Sequence, residues 1–183
     1  MKFLNELQSQ LDEKDASSPP IHLWNPDLSG DIDIRIEANG DWFHEGVKIE
    51  RQALVKMFSS ILRRESDGEY YLLTPVEKWR IVVVDTALLA IDVHVLQEGQ
   101  QEQQMIFTTN VQSQVLLSDD FPLSITFKEG SREPHPTILL PHHITAKLSR
   151  AVFYRLVDLA VEKEGMLSVV SNGTVFELGK IDD

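Results

Sequence analysis

Apolar residues fall at every second position of Asp31-Ile32-Asp33-Ile34-Arg35-Ile36, which predicts a strand with its isoleucines toward a core and Asp31, Asp33 and Arg35 toward solvent. Asn39-Gly40 predicts a tight hairpin turn with positive φ angles, and Trp42 and Phe43 fall on the return strand. From Glu50 the period turns helical, with Leu54, Met57, Phe58, Ile61 and Leu62 forming one stripe. Local signals are densest from Asp67 to Asp85. A turn at Asp67-Gly68, a Tyr/Leu strand, a break at Thr74-Pro75 and a Val/Ile strand make two strands with a polar elbow that presents Thr74, Glu77 and Lys78. Beyond it, antiparallel strands are predicted over 88–96, 105–109, 114–117 and 123–127, and a short strand over 137–140. A second helix is predicted from Ile144 to Glu162, then a hairpin about Asn172-Gly173. At the other end Leu4, Leu7 and Leu11 predict a short amphipathic helix over 3–14, and Ser17-Ser18-Pro19-Pro20 a linker.

Sliding the second helix onto the first by 99 positions (150 − 51) sets Arg51 on Arg150, Leu54 on Phe153, Met57 on Leu156 and Phe58 on Val157. A glycine, Gly68 or Gly165, and a strand follow each helix. The pattern predicts an α+β fold of two duplicated halves, each an antiparallel sheet with one main helix. The expected divisions are 1–20 as helix and linker, 21–86 as an N-terminal domain and 87–183 as a C-terminal domain.

Charge narrows the function. The formal net charge of −12 disfavours nucleic-acid binding, which depends on Lys and Arg displacing counterions. The absence of cysteine removes thiolate chemistry, disulfides and cysteine-based metal sites. No stretch approaches the roughly 20 apolar residues that span a bilayer, and the start lacks a signal-peptide core, so a cytoplasmic protein without membrane insertion is expected. Against the acidic background, residues 48–80 hold seven basic side chains to five acidic, and Lys147, Arg150 and Arg155 stand together. Arg51 and Arg150 are expected near helix starts, where backbone N–H groups also attract anions. A groove between the halves that holds a phosphate or carboxylate follows, with solvated faces and local ion pairs as the alternative.

Trp24, Pro26, Gly30-Asp31-Ile32, Gly40, Trp42, Gly46, Arg51, Phe58, Gly68, Tyr70, Leu72, Thr74-Pro75, Glu77 and Asp85 occur in the order that marks the bacterial domain-of-unknown-function family 1285, which the chain resembles over residues 24–85 and more weakly beyond. The family has no established activity. The resemblance implies two duplicated α+β halves, the second like a pleckstrin-homology barrel, with a nucleotide-like ligand at the interface and a signalling role. Thr86-Ala87-Leu88 and Pro141 depart from the family pattern; Pro141 stands where an arginine is usual, which puts that residue's share of ligand binding in doubt.

The candidate site is therefore a ligand-binding one. Arg51 and Arg150 would pair with the anion, Trp42 and Tyr71 would stack on a flat ligand, and Thr74 and Glu77 would fix its orientation. Tyr70 and Tyr71 alternate, which predicts one inward and one outward ring. His135, His142 and His143 cluster in a proline-rich loop without metal-ligand spacing, and no nucleophile motif or phosphate-binding loop is present, so neither a metal, a cofactor nor a catalytic residue is expected. The alternatives are a protein-interaction adaptor using the barrel-like half, and a hydrolase using Glu77 or Asp85 with a histidine.

Overall fold

The computed structural model describes residues 19–127, 130 and 133–180, and the helix expected over 3–14 lies outside them. The first half opens with a 3-10 turn at Ile21–Leu23, then β1 (Leu28–Ile36), β2 (Trp42–His44) and β3 (Val47–Lys48). Helix α1 (Gln52–Ser60) follows, then β4 (Leu62–Arg64), β5 (Tyr70–Leu73) and β6 (Lys78–Val83). Its sheet runs β3-β2-β1-β6-β5-β4, antiparallel except where β1 meets β6 in parallel.

The second half repeats the plan with more strands: β7 (Leu88–Leu96), β8 (Gln104–Thr109), β9 (Gln114–Leu116), β10 (Leu123–Phe127), β11 (Pro134–Leu139), a 3-10 turn at Pro141–His143 and β12 (Thr145–Leu148). Helix α2 (Arg150–Leu159) and the meander β13 (Val161–Lys163), β14 (Met166–Ser171) and β15 (Thr174–Lys180) complete it. Both helices end in register at the expected offset, since Leu159 minus Ser60 is 99, and each leads into three antiparallel strands. The fold is α+β with two duplicated sheet-and-helix halves.

The second half does not form a pleckstrin-homology-like barrel. Its large sheet is open, in the order β10-β11-β12-β7-β8-β9, and β13-β14-β15 is a separate sheet. A barrel needs ladder hydrogen bonds between its outermost strands, whereas β15 approaches β10 without joining its ladder. The meander is tied to the large sheet by a backbone bond from Asn172 N to Gln103 O at 2.9 Å and by side chains. Ser171 Oγ accepts from Met105 N at 2.9 Å and donates to Leu117 O at 2.7 Å, and Gln103 Nε2 donates to Val170 O at 2.7 Å.

Three local expectations are also corrected. The helix predicted from Ile144 begins only at Arg150, because Thr145–Leu148 alternates in burial and pairs in parallel with β7 before Ser149 caps the helix by accepting from Val152 N at 3.3 Å. The turn after β1 spans Glu37–Asp41, and of Asn39-Gly40 only Gly40 has positive φ. Tyr70 and Tyr71 are both buried, since β5 lies between β4 and β6 and is covered on both faces.

The core is continuous between the halves. Ile34, Ile36, Leu72 and Ile81 of the first sheet pack with Phe58 of α1, and the cluster runs on through Leu88, Phe107 and Ala146 to Leu156 of α2. This continuity places the Glu37–Asp41 turn of the first half against the sheet of the second.

Candidate functional site

That docked turn forms one wall of a cleft of about 600 Å³. Asn110 Oδ1 accepts from Leu89 N at 3.0 Å, and its Nδ2 donates to Gly40 O at 3.4 Å, which seats the turn on β7. Ala38 and Leu89 thereby line one side of the cleft. The other side is built where β12 passes into α2. Lys147 comes from the strand, Ser149 and Arg150 from the junction, and Phe153 and Tyr154 from the first turns of the helix. Pro134 and Pro136 of β11 add apolar surface, and Glu133 stands at the strand's entrance.

The cleft's two cations are neutralised differently. Lys147 Nζ donates to Asp85 Oδ2 at 3.3 Å, while Asp85 Oδ1 lies 2.8 Å from His135 Nε2. The side chains of Asp85 and His135 are only 11% and 14% exposed. Arg150 Nη2 donates to Glu133 Oε1 at 2.8 Å in an open pair, 81% and 67% exposed. That bond holds the Arg150 guanidinium above its already high range. A carboxylate orienting an imidazole is the start of a general-base pair, but neither Asp85 nor His135 lines the cleft.

Of the six residues expected to bind ligand, Arg150 lines this cleft and the other five do not. Arg51 is exposed at the N-cap of α1 without a side-chain capping bond. Trp42 is 1% exposed and stacks on Phe58 with ring centroids 6.1 Å apart, so its ring faces are taken by the core. Tyr71 is 4% exposed, and its hydroxyl donates to Asp67 Oδ2 at 2.7 Å. That bond, with burial, pushes the phenol up to about 12. Thr74 Oγ1 accepts from Val76 N at 3.3 Å and Glu77 N at 2.9 Å, which closes the elbow on itself. Glu77 is half-buried in that elbow, and its neighbours Lys78 and Arg80 pair with Glu65 and Asp31.

Sequence reasoning noticed Lys147 only as one of a basic trio. Phe153 and Tyr154, the aromatic residues that do line the cleft, fall inside the second predicted helix, where Phe153 counts only as the apolar counterpart of Leu54. The histidine cluster divides, with His135 on Asp85 and His142 and His143 in the 3-10 turn that packs on β4. Among the described residues no group of three or more His, Asp or Glu is placed to hold a metal ion, and no helix is long and apolar enough to cross a membrane.

Comparison with known proteins agrees on a family. The N-terminal domain model of DUF1285, a domain of unknown function, matches residues 19–86, and the C-terminal domain model of the same family matches residues 87–178. The crystal structure of a DUF1285 family protein from Silicibacter pomeroyi DSS-3 is 38% identical with a TM-score of 0.86, covering 96% of this chain and 95% of that one. A DUF1285 family protein from Shewanella baltica OS155 is 28% identical with a TM-score of 0.55, covering 69% of this chain and 91% of its own. A search of curated proteins gives no match.

Proposed function

Because this chain belongs to the DUF1285 family, whose two domains carry no assigned activity, we propose its function from the cleft: a non-catalytic ligand-binding or signalling module that takes a small anionic, nucleotide-like ligand at the seam of its halves. The observation that carries this reading is Arg150, an exposed guanidinium on the wall of a cleft of about 600 Å³. That volume is in the range of small-molecule sites, which are mostly apolar with a few polar groups. Arg150 pairs with the anion, Lys147 adds positive potential, and Tyr154 with Phe153 offers ring surface to a flat body. The roles expected of Trp42 and Tyr71 pass to these two aromatic residues.

A thermal-shift screen of nucleotides and sugar phosphates tests the reading. A ligand that binds only the native state stabilises it by about 2.7 kcal/mol at one hundred times its Kd. The shift is expected to vanish in Arg150→Ala and persist in Arg51→Ala; persistence in both moves the site elsewhere. If no small molecule shifts the protein, the adaptor reading takes its place. Its support is β9, which among the described residues is an edge strand of the second half's large sheet and suits strand addition.

A further inference from the structure

We propose that Glu133 is an intramolecular competitor for the ligand's anion, so that ligand enters the cleft by exchange at Arg150; this rests on the cleft reading above. The two cations of the cleft have unequal counter-ions. Asp85 is nearly enclosed and holds both Lys147 and His135, so an incoming anion that displaced it would strand two partners. Glu133 is two-thirds exposed, and its Oε1 accepts from Arg150 Nη2 at 2.8 Å. Exposed pairs of this kind are weak, because water compensates both ions when they separate. Arg150 is therefore the exchangeable position and Lys147 the fixed one.

The exchange also selects ligand chemistry. A monocarboxylate offers Arg150 little that Glu133 does not already supply within the same chain. A phosphate offers more charge and several acceptor oxygens to the planar fork of the guanidinium. Glu133 thus sets a threshold that phosphate-bearing ligands pass and simple carboxylates do not.

Titration calorimetry with inorganic pyrophosphate on the full chain tests this, using wild type, Glu133→Gln, Glu102→Gln and Arg150→Gln. Glu102 is exposed on the loop before β8, and its substitution removes the same charge away from the cleft. Glu133→Gln is expected to tighten pyrophosphate roughly two- to fivefold, with Glu102→Gln near wild type and Arg150→Gln weakened at least about tenfold. If Arg150→Gln weakens binding but Glu133→Gln does not tighten it, or Glu102→Gln tightens it equally, competition is overturned and the cleft reading stands. If none of the four proteins binds pyrophosphate, both fall together.

Discussion

Oδ1 of Asp85 lies 2.8 Å from Nε2 of His135, so the last strand-flanking residue of the first half is bonded to β11 of the second. Oδ2 of the same carboxylate accepts from Lys147 on β12 at 3.3 Å. One side chain thus ties two adjacent strands to the junction. Asp85→Ala leaves an imidazole and an ammonium without their acceptor and is expected to cost about 2–3 kcal/mol, with Asp85→Asn intermediate. Urea denaturation measures this, and a loss under about 0.5 kcal/mol would show that the junction does not depend on the carboxylate.

Gly40 is required for two reasons that can be separated. Its φ of +83° disfavours any side chain, and a Cβ there would stand 2.9 Å from Asn110 Nδ2 and 3.1 Å from Leu89 Cδ1. Asn110 cannot readily yield, because its Oδ1 holds Leu89 N. Gly46 has a similar φ of +73° with nothing within 4 Å of the added carbon. Gly46→Ala is therefore expected to cost about 1 kcal/mol from backbone strain, and Gly40→Ala at least about 1 kcal/mol more from overpacking the seam. Equal melting points for the two variants would remove the close approach from the account.

His142 makes stability depend on mild acid. Burial lowers its pKa from the ordinary 6.5, and the positive potential of His22, Arg63 and His143 lowers it further. His22 comes from the first 3-10 turn, Arg63 from β4 and His143 from the same turn as His142; Glu65, also beside β4, is held by Arg63 and Lys78. The folded protein resists protonating His142 where the unfolded chain accepts the proton. Stability therefore falls as pH drops below about 6.5 and levels off once the folded-state pKa is passed. His142→Asn, an amide that tolerates the residue's φ of +64°, is expected to flatten that decline. An unchanged pH profile by chemical denaturation counts against it.

Short-range pattern was a sound guide wherever one face of an element meets core and the other meets water. Ile34 and Ile36 are buried while Asp31, Asp33 and Arg35 are exposed, as their alternation requires. Asn172 and Gly173 both take positive φ in the final hairpin. The pattern failed where it reports position on an element without reporting what covers it. Tyr71 alternates with Tyr70, yet Asp67 and Lys78 close over its ring. Ile144 to Leu148 could extend a helix, but pairing of Ala146 with Leu88, 58 residues away in the chain (146 − 88), makes it a strand.

The sequence alone determined the inventory of most strands, the helix at Gln52–Ser60 though not its predicted extension to Ile61 and Leu62, the duplicated plan and the family, because turn chemistry, periodicity and ordered motifs are local. Long-range contact decided what the chain could not state about itself. The parallel seams β1–β6 and β7–β12, the open sheet in place of a barrel, the burial of Trp42 and the meeting of Asp85 with His135 all depend on partners far along the chain. The cleft is the clearest case. Arg150 was visible as a basic residue near a helix start, but its neighbours came from a turn 112 residues earlier, at Ala38 (150 − 38), and from a strand entrance at Glu133. Side-chain chemistry was legible residue by residue, whereas the enclosure that forms the cleft exists only once the two halves have docked.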